Sequence, residues 1–389
     1  MKILIPSYVQ TVLERLNARG HEAFAVGGCV RDTMDGREPS DWDVCTSALP
    51  GETKAAFSGF RVIETGIRHG TVTVLSEGRP VEITTYRVDG VYSDGRHPDS
   101  VSFTASLRED LARRDFTMNA MAFAPGTGVV DPFGGQEDLR RGLLRCVGDP
   151  SARFSEDALR ILRALRFSAV YGYRIEPETA AAAHSLRQTL GAVSPERRLT
   201  ELRKLLTGGE AAQVLAGFSD VLAAAVPGLG ENTALDRAEA VGQAPRELDV
   251  RLGILLRGLD AGTILRGLRA ERALILRTEF LAGRLEQPVP SDRAGLRRLL
   301  RQAGLEAVRS LIRASNGSEA LLDAILNEGD CWNTGQLAVG GADLLAEGLP
   351  AGPVLGRTLD ALLGQVVDGV LPNERGALLQ AAREMISEG

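Results

Sequence analysis

The chain has 389 residues, a formal net charge of −6 at pH 7 and a hydrophobic fraction of 44%. This composition excludes a largely disordered or collagen-like chain and leaves room for more than one domain. No uninterrupted apolar run approaches the roughly 18 residues that a membrane-spanning helix requires, and the first apolar run, at residues 3–5, is too short for a signal peptide. We therefore expect a cytoplasmic protein without membrane association.

The first hundred residues alternate between helix and strand patterns. Residues 7–20 predict an amphipathic helix, and a strand over 24–26 leads into Gly27-Gly28. A short strand is predicted over 41–44. Two β-branched runs at 71–75 and 81–86, separated by a turn at 77–80, predict an antiparallel hairpin. A last strand is expected to end near residues 129–132.

From about residue 136 the strand signals stop and helical spacing takes over. Helical segments are predicted at 156–171, 177–190, 195–207 and 210–225, with glycine or proline at their breaks. The predicted fold class is α+β: a small head with a mixed or antiparallel β-sheet, followed by an all-helical neck, body and tail. We place the predicted boundaries at residues 1–140, 141–210 and 211–389.

The scarcity of metal-binding side chains other than carboxylates limits the possible metals. The chain has four scattered cysteines and four histidines, with no CxxC pair and no histidine at ligand spacing (Cys29, Cys45, Cys146, Cys331, His21, His69, His97, His184). Neither a disulfide framework nor a zinc site is indicated. A metal would have to bind to carboxylates, which favours Mg²⁺ or a similar hard ion.

The segment from Val26 to Asp43 contains the strongest functional pattern. Gly27-Gly28 follows a strand and allows close backbone approach to a phosphate, which Arg31 could also bind. Asp41 and Asp43 lie two residues apart on an extended segment and so face the same side of a strand. Two such carboxylates repel each other unless a divalent cation lies between them. Each of the two patterns alone has a structural explanation, as a glycine turn or as a surface Asp-x-Asp pair. Their occurrence together favours a functional site.

Together these residues resemble a known family. The motifs GGxVRD and DWD are similar to those of class II tRNA nucleotidyltransferases and bacterial poly(A) polymerases, in the DNA polymerase β-like nucleotidyltransferase superfamily. The resemblance spans residues 22–207. It continues, in order, through Arg113-Arg114-Asp115, through residues 131–135 and 153–167, and more weakly through Glu196-Arg197 and Glu201-Leu202.

The resemblance implies a catalytic head at 1–140, a base-recognising neck at 141–210 and an RNA-binding body and tail at 211–389. In this family Asp41 and Asp43 would hold the metal, Mg²⁺, and Glu82 is the candidate third carboxylate, although an alternating strand also places Glu82 on a solvated face. Arg114 would contact the triphosphate, as would Gly28 and Arg31, and Asp115 would accept a hydrogen bond from a ribose hydroxyl.

Residues Asp157 and Arg160 are predicted to select the base. On a continuous helix they would share a face with Arg163 and Arg166, which would lie toward the triphosphate. A carboxylate that accepts from an amine and a guanidinium that donates to a ring nitrogen suit cytosine and adenine, and mismatch uracil and guanine. The alternative is an ordinary ion pair on an exposed helix.

The resemblance implies template-independent addition of CCA to the 3′ end of tRNA from CTP and ATP, with release of pyrophosphate. The long loop at residues 86–98 is similar to the loop of full CCA-adding and A-adding enzymes, which is absent or shortened in CC-adding enzymes. His69-Gly70-Thr71 resembles the CCA-adding type rather than the poly(A) polymerase type. An A-adding enzyme or a poly(A) polymerase remains an alternative. A non-catalytic RNA-binding relative would not need Asp41 and Asp43. No membrane and no obligate protein partner are indicated.

Overall fold

The computed structural model describes residues 3–90 and 100–387. It is a mixed α+β structure that divides into two compact units, Met1–Leu235 and Asp236–Gly389. The predicted fold class is confirmed, because all the strands described lie in the first unit and the second unit is helical where it is described. The three-part division at residues 140 and 210 is finer than these two units and stays a prediction.

Eleven short strands are described in the first unit. They are β1 Ala23–Val26, β2 Asp43–Thr46, β3 Arg61–Ile63, β4 Thr71–Ser76, β5 Arg79–Thr85, β6 Arg87–Asp89, β7 Val101–Phe103, β8 Ala122–Ala124, β9 Gly128–Val130, β10 Leu143–Leu144 and β11 Arg174–Ile175. Seven of them form one mixed sheet in the order β3-β4-β5-β2-β1-β8-β9, in which only the β2–β5 pair is parallel. The pairs β6–β7 and β10–β11 form separate two-stranded sheets.

The helices of the first unit surround this sheet and continue beyond it. They are α1 Ser7–Asn17, α2 Gly28–Met34, α3 Pro50–Ala56, α4 Leu107–Ala112, α5 Gly135–Arg140, α6 Pro150–Glu156, α7 Leu159–Tyr171, α8 Pro177–Ser185, α9 Pro195–Leu206, α10 Ala211–Gly217, α11 Ser219–Ala225 and, crossing the boundary, α12 Glu231–Asp236. Helices α7 and α9 pack against each other. Residues of both helices line one side of the candidate site.

The second unit is built from ten further helices. They are α13 Ala238–Gln243, α14 Leu248–Leu255, α15 Ala261–Gly267, α16 Arg272–Arg284, α17 Arg293–Ala303, α18 Leu305–Ala314, α19 Ala320–Asn327, α20 Gly341–Ala346, α21 Pro353–Val367 and α22 Arg375–Ser387. Its helices bury two leucine-rich clusters, one around Leu296 and Leu311 and the other around Leu344, Leu362 and Leu378. Burial of these side chains is the main source of stability for such short helices.

The local sequence patterns account for most of the head. Val9, Val12, Leu13 and Leu16 are buried on one face of α1, as their spacing predicts. The hairpin of β4 and β5 is confirmed, and alternate residues of β4 are buried. Its two-residue turn at Glu77-Gly78 has positive φ at both positions, the geometry that matches the twist of a hairpin.

Two predictions from the sequence are wrong in detail. The segment 156–171 is not one helix, because Asp157 is extended (φ −143°, ψ 104°) and separates α6 from α7. Strands also continue past residue 136, since β10 and β11 pair in parallel. They are only two residues long, too short to give a periodic signal. Residues 91–98 of the predicted loop lie outside the described residues.

No helix in the described part of the chain combines the length and the apolar character needed to cross a membrane.

Candidate active site

The two predicted acidic residues lie at the start of a central strand. Asp43 begins β2, and both Asp41 and Asp43 are exposed while Trp42 between them is buried. This alternation places the two carboxylates on one side of the segment, as expected from its extended geometry. The register pairs Asp43 with Val26 on β1 and with Glu82 on β5. The antiparallel pair therefore brings the glycine turn that follows Val26 beside the acidic residues.

The electrostatics of Asp43 are those of a carboxylate that lacks a counter-ion. Asp43 reaches solvent, but the surrounding protein desolvates its carboxylate and raises its pKa to about 6. The negative charges of Asp41 and Glu82 add to the rise, and the positive charge of Arg114 opposes it. Among the described residues, no three acidic, histidine or cysteine side chains are grouped so as to hold a metal ion. The pair Asp41–Asp43 stays a predicted metal site, and Glu82 stays a predicted third carboxylate.

The glycine turn is shaped by the close approach of Arg114. Gly27 has φ +81°, and a Cβ atom there would lie 2.9 Å from Nη1 of Arg114. A side chain at this position would strain the backbone and collide with the guanidinium, so glycine is required. Arg114 is held in place by Asp110, a fully buried residue whose Oδ2 lies 3.4 Å from Nη2 of Arg114.

Arg31 is a buried connection between the head and α7. Only 6% of the residue is exposed. Its guanidinium donates to Asp32 at 2.8 Å, to Asn119 at 2.6 Å and to the Tyr171 hydroxyl at 2.9 Å. It also lies over the rings of Phe167 and Tyr171, 5.0 Å and 4.8 Å from their centroids. Contact between Arg31 and a phosphate stays a prediction, and in this structure its donors are bound to protein.

Asp115 is buried opposite α7. Nε of Arg163 donates to Oδ2 of Asp115 at 2.8 Å, and Nδ2 of Asn119 donates to Oδ1 at 3.0 Å. Burial alone raises the pKa of Asp115, but the charge of Arg163 and the hydrogen bonds from Asn119 and Arg163 outweigh it. They hold the pKa of Asp115 well below its usual range, so this carboxylate is ionised at neutral pH.

Arg166 lies one turn further along α7 and faces α9. Its Nε is 3.0 Å from Oε2 of Glu201, an ion pair without hydrogen-bond geometry. Its guanidinium also lies 4.1 Å from the centroid of the Phe167 ring. Burial lowers the pKa of Arg166, and Glu201 opposes this. Arg166 therefore belongs to the packed interface of α7 and α9 as well as to the cavity.

The two predicted base-selecting residues are not partners of each other. Asp157 binds Arg197 of α9 (Oδ2–Nη2, 2.7 Å), and its Oδ1 accepts from the backbone N–H of Leu159 at 3.0 Å. Arg160 binds Glu156 (Nη1–Oε2, 2.6 Å) and donates to a backbone carbonyl at 3.2 Å. The alternative of an Asp157–Arg160 ion pair is therefore wrong, because the extended backbone at Asp157 removes it from the helical face of Arg160.

Most of the predicted site residues surround one cavity of about 450 Å³. Those that line it are Gly28, Arg31, Asp41, Asp43, Arg114, Asp115, Arg163 and Arg166. Glu82, Asp157 and Arg160 are outside its lining. The cavity is also lined by Gly27 of the predicted glycine turn and by residues that were not predicted from the sequence: Asp32, Ser40, Asn119, Phe167, Val170, Tyr171 and Lys204. Phe167 ends the similar segment at residues 153–167, Asn119 follows the Arg113-Arg114-Asp115 motif by four residues, and Lys204 is one of only three lysines. These are the signals that could have found them.

The comparisons with known proteins agree with this arrangement. Residues 23–145 match the poly(A) polymerase head domain, 172–220 the probable RNA and SrmB-binding site of polymerase A, and 297–382 the tRNA nucleotidyltransferase domain 2. The head sheet, with its acidic pair and glycine turn, defines a nucleotidyltransferase of the polymerase A class.

Full-length relatives narrow the class to one family. The chain is 40% identical to the CCA-adding enzyme of Limosilactobacillus fermentum over 390 residues, 96% of each chain. It is 38% identical to that of Geobacillus kaustophilus, covering 94% of this chain and 93% of the relative. The crystal structure of the Bacillus stearothermophilus CCA-adding enzyme in complex with CTP superposes with a TM-score of 0.84 at 32% identity, covering 99% of both chains. The chain belongs to the family of CCA-adding enzymes.

Proposed function

We propose that this protein adds CCA to the 3′ end of tRNA, without a nucleic-acid template, using CTP and ATP and releasing pyrophosphate. The observation that carries the proposal is the cavity in which the unpaired carboxylates Asp41 and Asp43 face Arg114, Arg163 and Arg166. The 3′-hydroxyl of the RNA would attack the α-phosphate of the nucleotide beside the acidic pair. Full-length similarity to CCA-adding enzymes supports the choice of tRNA and of the two nucleotides.

The acidic pair suits a divalent cation, and we name Mg²⁺ because the donors are oxygen atoms only. Neither Asp41 nor Asp43 forms an ion pair with a basic side chain within the described residues. Desolvation, and then the negative charges of Asp41 and Glu82, raise the pKa of Asp43. A bound cation would relieve that repulsion, promote ionisation of the attacking hydroxyl and neutralise charge on the phosphoryl group. Glu82 is our proposed third carboxylate, because the β2–β5 register places it beside Asp43.

The basic wall of the cavity, formed by Arg114, Arg163 and Arg166, positions the nucleotide. Arg114 lies over Gly27, where it can reach the phosphates that approach the glycine turn. Asp115 is held ionised and can accept from a ribose hydroxyl, which would favour ribonucleotides. Arg163 and Arg166 extend the positive charge along α7, which the leaving pyrophosphate requires.

Base selection is assigned to Asp157 and Arg160, whose protein contacts leave acceptor and donor capacity. Each oxygen of a carboxylate can accept more than one hydrogen bond, so Asp157 can accept from an amine while Arg197 holds it. Because Asp157 and Arg160 lie outside the lining of the cavity, the base must extend past the cavity toward the junction of α6 and α7.

The decisive experiment is incubation of the protein with a tRNA that lacks CCA. CTP and ATP together should extend the RNA by three nucleotides, resolved one at a time, and UTP or GTP should not be incorporated. Asp41→Ala and Asp43→Ala should each nearly abolish addition while retaining tRNA binding. Addition of adenosine alone to a tRNA ending in CC, with no use of CTP, would instead identify an A-adding enzyme. A long adenosine tail would identify a poly(A) polymerase.

A further inference from the structure

The charged side chains that line the cavity fall into two groups, paired and unpaired. The four lining arginines all have a carboxylate partner: Arg31 with Asp32, Arg114 with Asp110, Arg163 with Asp115 and Arg166 with Glu201. Among the described residues that line it, the charges without such a partner are Asp41, Asp43 and Lys204. The proposed reaction uses the two carboxylates and leaves Lys204 unexplained.

The position of Lys204 on α9 follows from a helical stripe. Arg197, Glu201 and Lys204 are spaced by four and three residues, so they lie on one face of α9. The first two each bind a residue on the α7 side, since Arg197 holds Asp157 and Glu201 pairs with Arg166. The third has no ion-pair partner in the described structure and lines the cavity. Lys204 is also exposed, so its ammonium group is open to a ligand.

The stripe also fixes which end of the cavity Lys204 occupies. Arg197 holds the proposed base-selecting Asp157, and Lys204 lies seven residues further along α9, about 10 Å at 1.5 Å per residue. Val170 and Tyr171, at the far end of α7, line the cavity as Lys204 does. Lys204 therefore lies away from the base and toward the end where an extended nucleoside triphosphate would place its phosphates.

We propose that Lys204 binds the terminal phosphates of the incoming nucleoside triphosphate, and the pyrophosphate that leaves. This proposal rests on the proposed function, because it takes the nucleotide to lie with its base toward Asp157. An ammonium group is a compact charge that can follow a phosphate as it departs. Because CTP and ATP share their triphosphate, Lys204 would serve both nucleotides equally and take no part in base choice.

A purely structural role for Lys204 is the alternative. The residue is in the last turn of α9, where a cation interacts favourably with the helix dipole. Loss of that interaction would lower the thermal stability slightly and would not distinguish one ligand from another. The test therefore compares ligands that differ only in their phosphates.

The experiment measures equilibrium binding of CTP and CMP to the full chain, with Mg²⁺ and without tRNA. Lys204→Ala and Lys204→Gln should weaken CTP binding roughly tenfold, as expected for loss of one charge-assisted hydrogen bond, and leave CMP binding unchanged. Inhibition of CCA addition by inorganic pyrophosphate should weaken in parallel. Lys204→Arg should restore most of the affinity for CTP. Lys54→Ala is the matched control, because Lys54 pairs with Glu64 and is not among the residues lining the cavity.

Unchanged CTP affinity, or an equal loss for CTP and CMP, would overturn the proposal. In a separate titration with tRNA, a loss confined to tRNA affinity would also overturn it and assign Lys204 to the RNA backbone. Nucleotide binding is measured without tRNA, so failure of this proposal is separable from failure of the proposed function. A wild-type chain that extends tRNA while Lys204→Ala binds CTP normally would contradict the lysine assignment alone. A wild-type chain that binds CTP but never extends tRNA would contradict the function.

Discussion

Arg163 contacts one carboxylate oxygen of Asp115 with two nitrogens, Nε at 2.8 Å and Nη2 at 2.6 Å, across 48 residues of sequence. The contact joins the Arg-Arg-Asp segment of the head to α7. It therefore fixes the proposed ribose-binding carboxylate relative to the helix that carries the basic wall. Asp115 is buried and the Arg163 side chain is one third exposed, so loss of either partner leaves the other charge unpaired and partly desolvated.

We expect Asp115→Asn to lower the free energy of unfolding at pH 7 by about 2 kcal/mol, the loss of hydrogen bonds to a charged partner that solvent partly screens. The pKa of Asp115 is lowered in the folded state, so its stabilisation is fully present above the ordinary carboxyl pKa near 4 and is lost as pH falls further. The difference in the free energy of unfolding between wild type and variant should therefore be smaller at acidic pH. Urea unfolding at pH 7 and pH 3 measures it, with exposed Asp323→Asn as control. An equal difference in the free energy of unfolding at both pH values would contradict the assignment of this stabilisation to ionised Asp115.

Ionisation of Asp43 is expected to destabilise the folded protein, whereas ionisation of Asp115 stabilises it. Its pKa is raised to about 6 in the folded state, so the folded protein binds more protons than the unfolded chain between about pH 4 and pH 6. Ionised Asp43 thus destabilises the metal-free protein above pH 6. We expect Asp43→Asn to abolish nucleotide addition and yet to raise the melting temperature in EDTA at pH 7.5.

At pH 5 Asp43 is largely protonated, and the difference in melting temperature should shrink. Glu38→Gln, at an exposed position outside the lining of the cavity, should change neither quantity. A variant that is less stable than wild type in EDTA at pH 7.5 would show that Asp43 has a structural role.

The hydroxyl of Tyr171 links α7 to α2 of the head. It accepts from Arg31 at 2.9 Å and donates to Asp32 at 3.2 Å. Tyr171→Phe keeps the ring against the guanidinium and removes only the hydroxyl, so we expect unfolding to become easier by about 1 kcal/mol. Tyr8→Phe is the matched control, because Tyr8 also lies beneath an arginine but its hydroxyl has no hydrogen-bond partner among the described residues. Equal melting temperatures for Tyr171→Phe and wild type would contradict this link.

The ion pair between Arg197 and Asp157 predicts that Arg197 affects base choice without touching the base. Asp157→Ala should weaken discrimination against UTP by roughly one to two orders of magnitude, because the amine of the correct base loses its acceptor. Arg197→Ala retains the Asp157 carboxylate but removes the ion pair that positions it. The variant should therefore lose part of the discrimination against UTP. Single-nucleotide incorporation with CTP and UTP measures the ratio.

Arg174→Ala, on the exposed residue of β11, is the control for a lost surface charge. If Asp157→Ala lowers the melting temperature and retains the preference for CTP, Asp157 is an ordinary structural residue. Base selection would then depend on other side chains near the junction of α6 and α7.

Predictions from the sequence succeeded where a pattern is local. The helix α1, the hairpin of β4 and β5, and the shared face of Asp41 and Asp43 follow from periods of 3.6 and 2 residues. Asp157 was placed wrongly, because its helical spacing is real but its backbone is extended at the end of α6. The spacing of side chains along the sequence does not reveal the interruption of a helix by a single extended residue.

The type of chemistry follows from the sequence alone, since Asp41 and Asp43 are close enough in the chain for local geometry to place them on one side of the strand that pairs with β1, which leads into the glycine turn. Which charges are neutralised by protein, and which are left for ligands, depends on the tertiary structure. Arg31 meets Tyr171 across 140 residues, and Arg197 meets Asp157 across 40. Such pairs depend on how α2, α7 and α9 pack, and this packing is set by the summed burial of many side chains rather than by any motif. For the same reason the packing of α7 and α9 pairs Arg197 with Asp157 and Glu201 with Arg166, while Lys204 lines the cavity without an ion-pair partner among the described residues.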